Sequence, residues 1–218
     1  PIPRGGPVNR ARPGALALAL ATLFVPLFAR QSLGPLDFWT WMTATGIVAV
    51  GLARVFDPGL AGALRLGAAR IRLRDCAAGA LSAVALYVLF AAGAWVLRRI
   101  WPASADSIAA VYGLKSGVPT ARIVLLLMLV IAPAEEIVWR AALQRMVAER
   151  WGAAAGVAGA AALYAAVHLG AGNLPLAAAA GLCGLFWGAM YARWRSLPAN
   201  IVSHALWDVL VFVIAPLA

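Results

Sequence analysis

Seven stretches of this chain run close to the length of a membrane-crossing helix with few ionisable side chains, and that pattern fixes the solvent before anything else. They cover residues 15–29, 38–55, 76–97, 121–148, 153–169, 174–191 and 198–215. Crossing the roughly 30 Å hydrocarbon layer takes about 20 apolar residues in a helix, and in lipid each backbone N–H and C=O must be bonded within the protein. The expected fold class is therefore all-α, a polytopic transmembrane helical bundle of about seven spans. The first run is short and holds Pro26, which predicts a kink near its end. The fifth is dense in small residues, among them Ala154, Gly156 and Gly159, which lets helix backbones approach closely. Composition agrees: 64% of residues are hydrophobic and 12% charged, against roughly 25% charged in soluble domains.

The gaps between the runs carry the remaining information about organisation. Residues 1–14, with Arg4, Arg10 and Arg12 among prolines and glycines, read as a flexible basic arm, and 15–218 as a single membrane domain. No small-residue cleavage site follows the first run, so it reads as a retained helix. Residues 56–75 interleave Arg65, Arg70, Arg72 and Arg74 with Leu64, Leu66, Ile71 and Leu73, an amphipathic segment suited to lying on the membrane. The net charge is +10, but the basic residues sit where topology signals belong, which argues against a nucleic-acid partner. With the N-terminus inside, the inner segments hold twelve basic residues against five outside, so a cytoplasmic N-terminus is expected. The Ala- and Arg-rich composition hints at a GC-rich bacterial genome, and a bacterial plasma membrane is the expected location. Cys76 and Cys183 lie far apart in apolar surroundings, form no CxxC pair and read as packing residues.

Apart from the arginines near the ends of the runs, six charged or imidazole side chains stand inside them: Glu135, Glu136 and Arg140 in the fourth, His168 in the fifth, and His204 and Asp208 in the seventh. An ionised side chain at mid-bilayer costs a few kcal/mol or more, so each needs a reason. Glu136 and Arg140 are four apart and can pair on one helical face, which reads first as structural support. Glu135 is rotated by about 100° from Glu136 and lacks a local cation. His204 and Asp208, again four apart, can face one cavity, or form a polar clasp between helices. If the three helices meet, Glu135, His168, His204 and Asp208 converge on one wet pocket with the Glu136–Arg140 pair behind it.

In order and spacing these residues resemble the motifs of the CPBP family, the type II CAAX prenyl endopeptidases and their bacterial relatives. An EExxxR motif stands at Glu135–Arg140, an FxxxH motif at Tyr164–His168 with Tyr in place of Phe, and an HxxxN motif at His204–Asp208 with Asp in place of Asn. The resemblance implies a glutamate-type intramembrane endopeptidase that cleaves a membrane-associated or C-terminally tailed polypeptide. Glu135 would take a proton from water, His168 would help hold that water, and His204 would stabilise the oxyanion. Asp208 departs from the pattern, since an ionised carboxylate cannot donate a hydrogen bond as an amide does. It is either protonated, or orients His204, or ligates a metal. No cofactor is required in this mechanism, although two histidines and one or two carboxylates, Glu135, His168, His204 and Asp208, also make a divalent-metal set of the kind zinc takes. Two other classes stay open: a proton- or ion-coupled transporter built on the same intramembrane groups, and a non-catalytic peptide-binding or immunity protein.

Overall fold

The computed structural model describes residues 12–68 and 72–217. The chain is a bundle of helices, and six of them are long and apolar enough to cross a membrane. Those six are α1 (Arg12–Arg30), α2 (Phe38–Phe56), α4 (Leu73–Ile100), α9 (Ala153–His168, continued as a tight turn to Ala171), α10 (Leu174–Trp194), and α11 (Leu197–Val209, continued to Ile214). Large apolar side chains such as Leu18, Leu81, Val88, Leu129 and Leu182 point outward, an arrangement suited to lipid. The protein is an integral, multi-pass membrane protein.

The predicted fourth span is present but is not one regular helix. The chain stays helical from Thr120 to Trp151 as α6 (Thr120–Leu126), α7 (Ala132–Glu136) and α8 (Arg145–Trp151), joined by π-helical segments Leu127–Ile131 and Ile137–Gln144. Proline accounts for the first segment. Pro133 has no N–H, and its ring crowds the carbonyl one turn back. The ladder widens just before it, so that the Ala132 N–H bonds Leu127 O, five residues back. π-Helical turns of this kind occur often at functional sites. Gly152, at φ 90°, ends the run and lets α9 turn back against it.

Other boundaries differ from the sequence reading. α1 already includes Arg12, Pro13 and Gly14, because proline suits the first helical turn; the rest of the predicted arm, 1–11, lies outside the described residues. α4 begins at Leu73 and takes over the end of the predicted interfacial segment. That segment retains the short helix α3 (Leu60–Ala68), while Arg70 and Ile71 lie outside the described residues. The connection after the third span contains α5 (Ser104–Gly113).

Small residues set the close contacts that position the motif-bearing helices. A Cβ added at Gly79 would stand 2.6 Å from Ala199 O, so α4 and α11 touch along their backbones there. One at Gly156 would stand 2.7 Å from the Ala148 side chain, the close approach expected of the small-residue helix. Gly184 seats α10 on the Ala161 backbone in the same way. Caps fix the entries: Asp37 accepts the Thr40 N–H at α2, Asn173 the Leu176 N–H at α10, and Ser196 the Ala199 N–H at α11. Arg122 at the start of the broken helix pairs with Asp37 at 2.9 Å. Slight burial opposes ionisation of that carboxyl, but the Thr40 amide and the Arg122 guanidinium outweigh it and hold Asp37 below its usual range.

Candidate active site

The broken helix crosses the core and carries Glu135, Glu136, Arg140 and Gln144 into it, all buried. Three helices face them. α9 brings Tyr164 and His168, α10 brings Trp187, and α11 brings Asn200, Ser203, His204 and Asp208, also buried. Asn200, His204 and Asp208 fall four apart, so one stripe of α11 meets the acids.

His204 is the hub. Its Nδ1–H donates to Glu136 Oε1 at 2.8 Å. Its Nε2 lies 3.5 Å from Glu135 Oε2 and 3.6 Å from Asp208 Oδ2. Its ring stacks on Trp187, centroids 3.8 Å apart, and Trp187 Nε1 donates to Ser203 Oγ at 3.0 Å. The imidazole is thus fixed in plane by a ring and in rotation by a carboxylate. Glu136 also accepts from Asn200 Nδ2 at 3.0 Å and pairs with Arg140 at 3.4 Å. The Arg140 guanidinium lies between Tyr164 and Trp187, 5.3 and 5.5 Å from their ring centres.

Glu135 is held at one oxygen. Tyr164 Oη donates to Oε2 at 3.0 Å, whereas Oε1 is buried without a hydrogen-bond partner among the described residues. His168 joins through the same tyrosine. Its Nδ1 contacts Tyr164 O at 2.7 Å, and a carbonyl only accepts, so Nδ1 carries the proton and a neutral ring keeps its lone pair on Nε2. Phe28 of α1 covers the ring at 4.1 Å between centroids.

The residues singled out from the sequence therefore gather in one place, with three differences. First, Glu136 is not confined to bracing from behind: it bonds His204 directly, while Asp208 lies on the other side of the ring, so the partner at Nδ1 is Glu136. Second, the two glutamates do not part company, since His204 lies between them. Third, of two cavities, one of about 470 Å³ lies between α1 and α2, away from the site; the other, about 20 Å³, lies beside Gln144, Arg145, Tyr191 and Arg195 and touches the site at Gln144. Among the described residues no group of three or more His, Cys, Asp and Glu side chains is arranged to hold a metal ion.

Residues 118–210, the stretch that contributes every one of these side chains except Phe28, match the family model described as type II CAAX prenyl endopeptidase Rce1-like. This stretch is similar to that family. The CAAX-type membrane endopeptidases are thus the relatives of the motif-bearing half, and a protease is what the family implies. Comparisons with curated proteins and with solved structures gave no match.

The sequence reading missed Asn200, Gln144, Ser203 and the Trp187 platform. A signal existed for Asn200, a buried-type amide one turn before His204 on the same face. For Trp187 there was none, because tryptophan in an apolar run is by default a packing or lipid-facing residue.

Proposed function

We propose that the protein is an intramembrane endopeptidase that hydrolyses a peptide bond of a membrane-associated or C-terminally tailed polypeptide, with Glu135 activating the water. Glu135 takes one proton as the water oxygen bonds to the carbonyl carbon, and returns it to the amide nitrogen as the C–N bond breaks. Tyr164 holds Oε2, leaving Oε1 to face the water, and His168 Nε2 accepts the water's second hydrogen. His204, protonated at both nitrogens, donates Nδ1–H to Glu136 and offers Nε2–H to the oxyanion. Glu136 orients that ring, and Asp208 stabilises its charge. Arg140 neutralises Glu136. The excess of arginines in the inner gaps supports a cytoplasmic N-terminus in a bacterial plasma membrane.

The observation that carries this reading is the placement of His204 between Glu135, Glu136 and Asp208, with each carboxylate within 3.6 Å of a ring nitrogen. The test is a reconstituted proteoliposome bearing a library of membrane-tethered peptides. Cleavage that depends on Glu135 is expected. A pH-driven ion flux without cleavage would instead indicate a transporter, and peptide capture without either would indicate a binding protein.

A further inference from the structure

Hydrolysis consumes water, and one face of the broken helix carries, at two successive positions, buried polar atoms without hydrogen-bond partners among the described residues. Glu136, Arg140 and Gln144 follow each other at intervals of four. Their exposures are 0%, 1% and 3%. Arg140 Nη1 and Nη2 have no hydrogen-bond partner among the described residues, and neither has Gln144 Oε1. Leaving a buried polar group unmade costs about 1–3 kcal/mol, more for a charged one. Two in succession on one face therefore point to an occupant.

We propose that this face is a water file that supplies the active site. The chemistry selects water. Arg140 only donates and Gln144 Oε1 only accepts, so a bridging molecule must do both. One helical turn, about 5 Å, is close to two hydrogen bonds placed end to end. Gln144 is anchored by its other end, Nε2 donating to Gly188 O at 2.9 Å. It also lines the cavity shared with Arg145, Tyr191 and Arg195. That cavity, about 20 Å³, has room for one water, which needs about 10–15 Å³ of probe-occupied space. Beyond it Arg145 pairs with Glu149, whose side chain is half exposed at the helix end. The file thus runs from a charged helix end, past Gln144 and the guanidinium held between Tyr164 and Trp187, to Glu136 and His204. The π-helical run Ile137–Gln144 lies along its length. Glycine at 188 keeps the passage open, since a Cβ there would lie 3.1 Å from Gln144 Oε1.

The file rests on the protease reading only for the use made of the water, so its test reads hydration directly. Synchrotron hydroxyl-radical footprinting of the full chain in nanodiscs oxidises side chains that lie beside bound water. Tyr164 and Trp187 are expected to be labelled although buried, while equally buried Trp39, which lies outside the file, is not. Gln144→Leu should bring both down to the level of Trp39, and Gly188→Ala should lower them in the same direction. Exposed Trp151 should stay unchanged in each variant. Tyr164 and Trp187 as unreactive as Trp39 in the parent protein overturns the file, and so does labelling that both variants leave unaltered. Labelling without any peptide cleavage keeps the file and removes the protease, whereas cleavage with no labelling does the reverse.

Discussion

Glu136 offers the sharpest energetic test, because its carboxylate is fully buried and serves three partners on two helices. It pairs with Arg140 at 3.4 Å, accepts from His204 Nδ1 at 2.8 Å and accepts from Asn200 Nδ2 at 3.0 Å. Glu136→Met removes all three contacts and strands the guanidinium, which has no hydrogen-bonded partner of its own among the described residues. Breaking a buried pair from one side costs about 3–5 kcal/mol. The two lost interhelical hydrogen bonds add about 0.6 kcal/mol each in a membrane protein, and Asn200 retains its bond to Trp187 O at 2.8 Å. The stranded charge therefore dominates, and a loss of about 4–6 kcal/mol is expected. Glu136→Met with Arg140→Met removes both charges and should recover most of that loss, since apolar replacement of a buried pair is often neutral or stabilising. Unfolding in mixed micelles by increasing SDS, followed by tryptophan fluorescence, measures all four corners of the cycle. A single variant within about 1 kcal/mol of the parent, or a double variant whose loss is the sum of the singles, would show that the pair is not the buried, mutually dependent unit described. The double variant should remain inactive, because His204 has lost its Nδ1 partner.

Gly79→Ala should push α4 from α11 at Ala199 O, costing about 1–3 kcal/mol by overpacking and lowering cleavage by displacing His204; unchanged thermal stability would refute the backbone contact. Tyr164→Phe removes the single donor to Glu135 and should lower kcat while costing only about 0.5–1.5 kcal/mol of stability. A variant with unaltered kcat would deny the tyrosine a positioning role. Asp37 is held below the usual carboxylate range, so its contribution is complete above the unfolded value of about 3.9 and is lost as pH falls through the lower folded value. The thermal midpoint should drop as pH falls below the unfolded value, and Asp37→Asn should lack that part of the drop; identical profiles would remove the Asp37–Arg122 latch.

The spans were legible because hydropathy is a property of composition, and the site residues were legible because charge in lipid is costly wherever it occurs. The broken fourth helix was half legible. Pro133 was the residue from which the first π-helical segment could have been expected, but the second contains no proline, and nothing in its residues foretold it. The link between Glu136 and His204 was hidden for a different reason. Spacing along one helix gave Arg140 as the partner of Glu136, and a contact made across helices has no period to reveal it. Asn200 was readable from its register with His204 and Asp208 and was passed over because an amide carries no charge to attract notice.

In the proposed mechanism Glu135 performs the chemistry and is not one more buried acid. Parent protein and Glu135→Gln, reconstituted at equal protein levels with the same tethered peptides, give the most direct measurement, new peptide termini counted by mass spectrometry. Glutamine preserves the size of the side chain and can still accept from Tyr164, so folding is retained. Cleavage by the parent and none by the variant is expected, both unfolding at the same SDS fraction. Cleavage by Glu135→Gln at the parent's rate would contradict the mechanism.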